Sequence, residues 1–331
     1  MSKDVYVFAE QRDGKIQNVT FELIGRGKEL AETLNQKVVA VLLGSNVKDT
    51  AESLVHHGAD RVLYVDNDIL TEYVTEPYTK SLCQIIKEED PEIFLIGATA
   101  IGRDLAPRVS ARIHTGLTAD CTSLDIDEES KNLLMTRPAF GGNIMATIAC
   151  ESHRPQMATV RPGVMISLGK DDSRTGEVKE VKVEFSSSDM NIKIRKVVKE
   201  EKKKVDITES KILVSGGRGL GNKEGFNMLR DLASTLGGEV SSSRAGVDSG
   251  WAEKDMQVGQ TGKTVRPDVY FACGISGAIQ HVAGMEGSEL IISINKSNTA
   301  PIFEISDLGI VGDVNVIVPK LTEALKKVKT V

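Results

Sequence analysis

An α/β fold in two domains is predicted, each domain built on a doubly wound, mostly parallel sheet and the first carrying an antiparallel elaboration. Three observations lead there. Short apolar runs alternate with amphipathic stretches of about 10–15 residues, the rhythm of βαβ units. Many of the runs end in Gly, Ser or Thr, as strand-end loops do. Residues 196–204 (KVVKEEKKK) hold seven charged side chains in nine, a solvated connector that interrupts the rhythm and divides the chain into 1–204 and 205–331.

In the first domain, residues 5–8 read as a strand and 21–34 as a helix with Leu23, Ile24, Leu30 and Leu34 on its apolar face. Residues 38–43 form a β-rich run ending at Gly44, 49–57 a helix, 61–65 a strand and 73–88 a helix. Residues 93–96 are again a strand, closed by Gly97, Ala98 and Thr99. After Ala111 the spacing shortens. Residues 120–126, 133–136, 144–150 and 156–160 read as short strands between turns, which is the antiparallel elaboration. In the second domain, 212–214 is a strand followed by the turn Ser215-Gly216-Gly217-Arg218-Gly219. Residues 223–236 form a helix with Phe226, Leu229, Leu232, Ala233 and Leu236 on one face. A strand at 239–241, a polar turn at 242–246, a strand at 269–272, a helix running through His281 and a strand at 290–294 complete it.

Composition narrows the function classes. The 331 residues are 40% hydrophobic and 27% charged, with a net charge of −6, so no basic stripe marks a nucleic-acid footprint. One Trp and 4% aromatics give little for bases to stack on. The N-terminal residues resemble neither a signal nor a transit peptide, and no run approaches the ~20 apolar residues of a membrane span. Cys83, Cys121, Cys150 and Cys273 are scattered without C-x-x-C spacing, so neither zinc nor an iron–sulfur cluster is signalled. A reducing, cytoplasmic setting is expected.

Ligands in doubly wound sheets bind outside the carboxyl ends of the strands. In the second domain those ends are dense in Gly, hydroxyls and Arg: 215–219, then Ser241, Ser242, Ser243 and Arg244, then Gly274-Ile275-Ser276-Gly277-Ala278-Ile279-Gln280-His281, then Asn295 and Lys296. A helix opening near Ser276 would present free N–H groups to an anionic or electron-rich ligand. Together with Gln257-Val258-Gly259-Gln260-Thr261-Gly262, these turns point to a large phosphate-bearing cofactor. The G-x-x-x-x-G-K-[ST] spacing is missing, and G-K-T at 262–264 lacks its glycine-rich lead-in. A dinucleotide fingerprint is missing too.

The run 269–285 (VYFACGISGAIQHVAGM) with IISINK at 291–296 closely resembles the signature of the electron-transfer flavoprotein α subunit. SGGRGL (215–220), SRAGVDSGW (243–251), QVGQTGK (257–263), APIF…GIVGD (300–313), GATAIGRDLAPR (97–108) and RPAFGGNIMATI (137–148) are similar to the same family, so nearly the whole chain is covered. Ser293 stands where Ala is frequent, a small departure. The resemblance implies FAD held by domain 205–331, a β-subunit partner against which domain 1–204 packs, and electron passage from acyl-CoA dehydrogenase or a similar enzyme to a downstream acceptor. An electron-bifurcating complex, in which NADH reduces a second FAD on the β subunit, is a variant of that role. It further implies that Arg218, Ser243, Val258, Gly259, Gln260, Thr261, Ser276, Gly277, Ala278, Ile279, Gln280, His281, Asn295, Asp313 and Val314 line the FAD. Arg244 would lie against the isoalloxazine, Thr261 would bond near N5, and His281 would approach the pyrimidine carbonyl edge as a neutral tautomer or an imidazolium. A guanidinium stays charged and would steady the negative charge that reduction places near N1–C2.

Two other classes stay open from the residues alone. A stand-alone nicotinamide dehydrogenase needs an acid/base pair that the first domain does not offer. An ATP-type nucleotide-binding protein would use the turn at Gly97, Ala98 and Thr99, which also suits an ordinary helix start. His281 has its own plainer reading, a helix histidine satisfied by a nearby carbonyl, and Cys273 reads as a small core residue.

Overall fold

β1 (Val5–Ala9) is apolar at all five positions and buried on both faces, as a central parallel strand must be. Around it the computed structural model describes residues 4–139, 144–190, 192–198 and 206–329, and the chain divides into two units, Met1–Val198 and Lys199–Val331. The boundary expected at 204/205 lies in residues 199–205, outside the described residues, as do residues 140–143 of the RPAFGGNIMATI motif.

In the first unit β1 is followed by a small hairpin, β2 (Gln11–Arg12) and β3 (Lys15–Ile16), then by α1 (Asn18–Leu34), β4 (Val38–Gly44), α2 (Lys48–His56), β5 (Arg61–Asp66), α3 (Thr75–Glu89), β6 (Ile93–Gly97) and α4 (Ala100–Ile113). β7 (Leu117–Cys121), β8 (Ser123–Ile126), β9 (Leu133–Ala139), β10 (Ile144–Ala149), β11 (Gln156–Val160) and β12 (Glu177–Glu180) come next. Seven strands form one parallel sheet in the order β12-β5-β4-β1-β6-β11-β7. β8, β9 and β10 form a separate antiparallel sheet.

The antiparallel elaboration is thus smaller than expected. Residues 120–126 are two strands rather than one: Asp120, with a φ of 61°, lies near the end of β7, and the chain passes from one sheet to the other at Thr122. β7 and β11 extend the parallel sheet instead. The sheet's direction of growth reverses between β1 and β6. Glu10, 1% exposed, sits at that switch, accepting from the Thr99 hydroxyl and from Arg12 at 3.0 Å. Thr99 in turn caps α4, its Oγ1 accepting from the Gly102 N–H at 3.0 Å.

The second unit runs β13 (Ile212–Gly216), α5 (Gly225–Leu236), β14 (Glu239–Ser242), α6 (Arg244–Asp248), β15 (Val269–Cys273), α7 (Ile279–Val282), β16 (Leu290–Asn295), β17 (Leu308–Val311) and α8 (Val314–Lys329). All five strands are parallel, ordered β14-β13-β15-β16-β17. Phe226, Leu229, Leu232 and Ala233 of α5 pack with Val314 and Val318 of α8 and with Val214, Val240, Phe271, Cys273 and Ile294 from the sheet. Of the residues expected as a polar turn at 242–246, Ser242 ends β14, Ser243 is the N-cap and 244–246 start α6. α7 has four residues, so the helix expected to open near Ser276 begins at Ile279 and is too short to act as an anion-binding terminus.

Candidate functional site

In the second sheet the chain passes from β13 through α5 to β14 on one side, then crosses to β15 on the other. The gap between the carboxyl ends of β13 and β15 is the switch point at which such sheets take ligands. Its floor is glycine backbone. The Gly217 N–H donates to the Cys273 carbonyl and the Gly219 N–H to the Gly274 carbonyl, each at 2.9 Å. A Cβ on Gly219 would stand 2.7 Å from Gly274 Cα, and Gly274 itself has a φ of 65°, so this crossing tolerates no side chain on either residue.

Over that floor lies a cleft of about 690 Å³, within the range of small-molecule sites. Arg218, Ser243, Arg244, Val258, Gly259, Gln260, Thr261, Ser276, Ala278, Gln280, His281 and Asn295 all line it. Residues 258–261 form one wall. There the Val258 N–H donates to the Ser242 carbonyl at 2.9 Å, the Gly259 N–H to Lys263 at 3.1 Å and the Gln260 N–H to Gln280 at 2.7 Å. Thr261 Oγ1 accepts from Gln257 Nε2 at 3.0 Å. Asn295 is held by Nδ2 on the Ile275 carbonyl at 2.8 Å and by the Ser297 N–H on its Oδ1 at 2.9 Å. Arg244 is exposed and pairs with Asp248 at 3.3 Å.

Four of the residues expected at the cofactor are not part of this cleft's lining. Gly277 is packed under the 301–302 backbone, where a Cβ would come within 2.1 Å of Ile302 N. Ile279 points to solvent, 55% exposed. Asp313 is bound to Lys296 at 3.0 Å and to the Asn315 N–H at 2.9 Å, and Val314 is buried in the core. Conversely, Gly219, Ala245, Asp248, Gln257, Gly274 and Ile275 also line the cleft. Asp248 was open to discovery from sequence, since it stands four residues after Arg244 on the same helix face.

His281 lines the cleft with its ring also bonded to the protein. Its Nδ1 lies 3.1 Å from the Val258 carbonyl oxygen and its Nε2 3.0 Å from the Tyr270 hydroxyl. Burial pushes its pKa down to about 4. The side chain is therefore neutral near pH 7, the neutral tautomer of the two expected forms, with both nitrogens within hydrogen-bond reach of protein partners. Cys273 is a core residue, its thiol pushed up to about 12 by burial.

Comparison with known proteins fits this geometry. The family model for the electron transfer flavoprotein domain matches residues 5–186. This chain belongs to the electron transfer flavoprotein family. The model for that family's FAD-binding domain matches residues 206–286, which include every cleft-lining residue except Asn295. The electron transfer flavoprotein subunit alpha of Clostridium acetobutylicum is 56% identical over 326 residues, spanning 98% of this chain and 97% of the relative. The subunit alpha of Bacillus subtilis is 42% identical over 99% of this chain and 98% of its own. The acryloyl-CoA reductase electron transfer subunit beta of Anaerotignum propionicum is 49% identical over 99% and 96%.

The chain is thus an electron-transfer protein of the alpha-subunit type, and its second unit is an FAD-binding domain. Membership of this family displaces the nicotinamide-dehydrogenase and ATP-type readings. The residues present suit the cofactor. The Ser243 hydroxyl is buried at the cleft without a hydrogen-bond partner, a situation that native proteins resolve with a ligand or water. Arg218 and Arg244 add two cationic forks to the cleft lining.

Proposed function

We propose that the cleft at the β13/β15 switch holds FAD and that the chain, paired with a β subunit, passes electrons from a flavin dehydrogenase such as acyl-CoA dehydrogenase to a downstream acceptor. One observation carries the reading. Residues from five separate stretches, after β13, after β14, at 258–261, after β15 and after β16, converge on a single cleft. Bound FAD supplies the redox centre, taking up and releasing electrons.

The chain's own residues bind, orient and tune. Ser243 donates its unpaired hydroxyl to the cofactor, and Arg218 holds phosphate oxygens. Arg244 would supply a permanent positive charge to the cofactor, partly offset by Asp248. Thr261 would offer it a hydroxyl, and the glycine floor would let it approach the backbone. The relative named for acryloyl-CoA reductase supports a CoA-linked dehydrogenase as donor or acceptor. No helix among the described residues is long and apolar enough to cross a membrane, and we place the complex in the cytoplasm.

The test is to purify the chain with its β partner and measure flavin absorbance and extracted FAD. One FAD per α chain, reduced in content by the double variant S243A/R218A, is expected. Colourless protein that fails to take up added FAD overturns the proposal. Titrating the same sample with NADH and counting the flavins reduced separates a bifurcating complex from a simple carrier.

A further inference from the structure

At the cleft, Tyr270 and His281 form a buried pair in which only His281 reaches the lining. Tyr270 lies in the middle of β15 and is 0% exposed; His281 is 6% exposed. Nδ1 of His281 faces the Val258 carbonyl. A carbonyl has no proton to give, so Nδ1 carries the ring hydrogen and Nε2 presents a bare lone pair. The Tyr270 O–H, 3.0 Å away, must then donate to Nε2. Both hydrogens therefore point one way, from Tyr270 through His281 to Val258.

The far end of this chain is part of the cleft. Val258 opens the 258–261 wall, and its neighbour Gly259 sits at φ 138°, so close to α7 that a Cβ would lie 2.7 Å from the Gln280 carbonyl. Where the Val258 carbonyl is held thus sets where the backbone of Gly259, Gln260 and Thr261 meets a ligand. We infer that Tyr270 is a positioning residue for the flavin site: its hydroxyl fixes the ring of His281 in the Nδ1–H tautomer, and His281 in turn pins the 258–261 wall through Val258. The flavin half of this statement rests on the function proposed above.

Two readouts on the full-length, purified protein test it. In wild type labelled with ¹⁵N-histidine, the resonance lost in H281Q should show a protonated Nδ1 and a bare, hydrogen-bonded Nε2 at neutral pH. In Y270F the Nε2 signal should move to the position of a lone pair without a donor. FAD affinity, read by flavin fluorescence quenching, should weaken about tenfold in Y270F, the effect of one buried hydrogen bond left unmade. H281Q should weaken it at least as much, and Y270F/H281Q no further. A protonated Nε2 in wild type overturns the inference, as does a Y270F loss that repeats in full on the H281Q background. If Y270F does not fold, the wild-type tautomer alone decides. Wild type that shows the expected tautomer but binds no FAD would instead defeat the flavin reading.

Discussion

Between the carboxyl ends of β1 and β6 the first unit buries a carboxylate, Glu10; between those of β13 and β15 the second has a floor of glycine backbone under a cleft of about 690 Å³. Both gaps are the switch points of doubly wound parallel sheets. In the first, Glu10 lies beside the Thr99 cap of α4, where the helix dipole favours an anion, and so stands where a ligand's phosphate would go in a nucleotide site. In the second, Arg218 and Arg244 line the mouth and Ser243 waits without a partner. Topology provides the crevice, and the few residues after each strand decide whether the protein or a ligand fills it.

The comparison can be broken most forcefully at its floor. Gly274→Val combines a left-handed φ with a contact 2.9 Å from the Gly219 backbone. It should cost roughly 4 kcal/mol and abolish FAD retention. Trp251, the single tryptophan and a member of the second unit, reports that loss by fluorescence in urea titrations.

Acid should come next. The folded pKa of His281 is depressed to about 4 from the ordinary 6.5, so the unfolded chain takes the proton first as pH falls. The stabilisation is complete above pH 6.5 and is lost on descending to about 4, on the order of 3 kcal/mol. The Trp251-reported stability of H281Q should lack that slope. Glu10→Ala should destabilise the first unit by about 2 kcal/mol, because Thr99 and Arg12 lose a buried partner, while leaving FAD content unchanged. A fall in FAD content would show that the two switch points are not independent.

The smallest effects concern charge at the open mouth. Arg244→Ala should lower the first flavin potential by about 60 mV, the equivalent of 1.4 kcal/mol for one electron. A larger shift is not expected, since the guanidinium is 69% exposed and already paired. Asp248→Asn should raise that potential by up to about 40 mV. Redox titration with FAD bound checks both, and opposite signs are the essential result.

Much of this was legible in the chain because parallel strands are apolar on both faces. Runs such as 38–43 and 93–96 leave little choice, and their glycine-terminated ends locate the loops. β12 was not legible, since Glu177–Glu180 has one apolar residue and joins the sheet edge through backbone bonds to β5. α8 is harder to read although Val314, Val318, Leu321 and Leu325 recur on one face, because Pro319 within it disguises the period. At the site, spacing identified which turns carry polar groups but not which way each side chain faces. His281 shows the limit. Only the positions of Tyr270 and Val258, eleven and twenty-three residues away in sequence, reveal that its ring is already engaged.

The absence of hairpins in the five-stranded sheet has a kinetic side. No two neighbouring strands there can pair before an intervening crossover has been laid down, and the crevice draws its rim from stretches between Arg218 and Asn295. A partly assembled chain therefore has nothing for a flavin to grip. Cofactor capture becomes a latch thrown after the sheet is in register, and each tenfold excess of free FAD over its dissociation constant draws the population about 1.4 kcal/mol further toward the finished form.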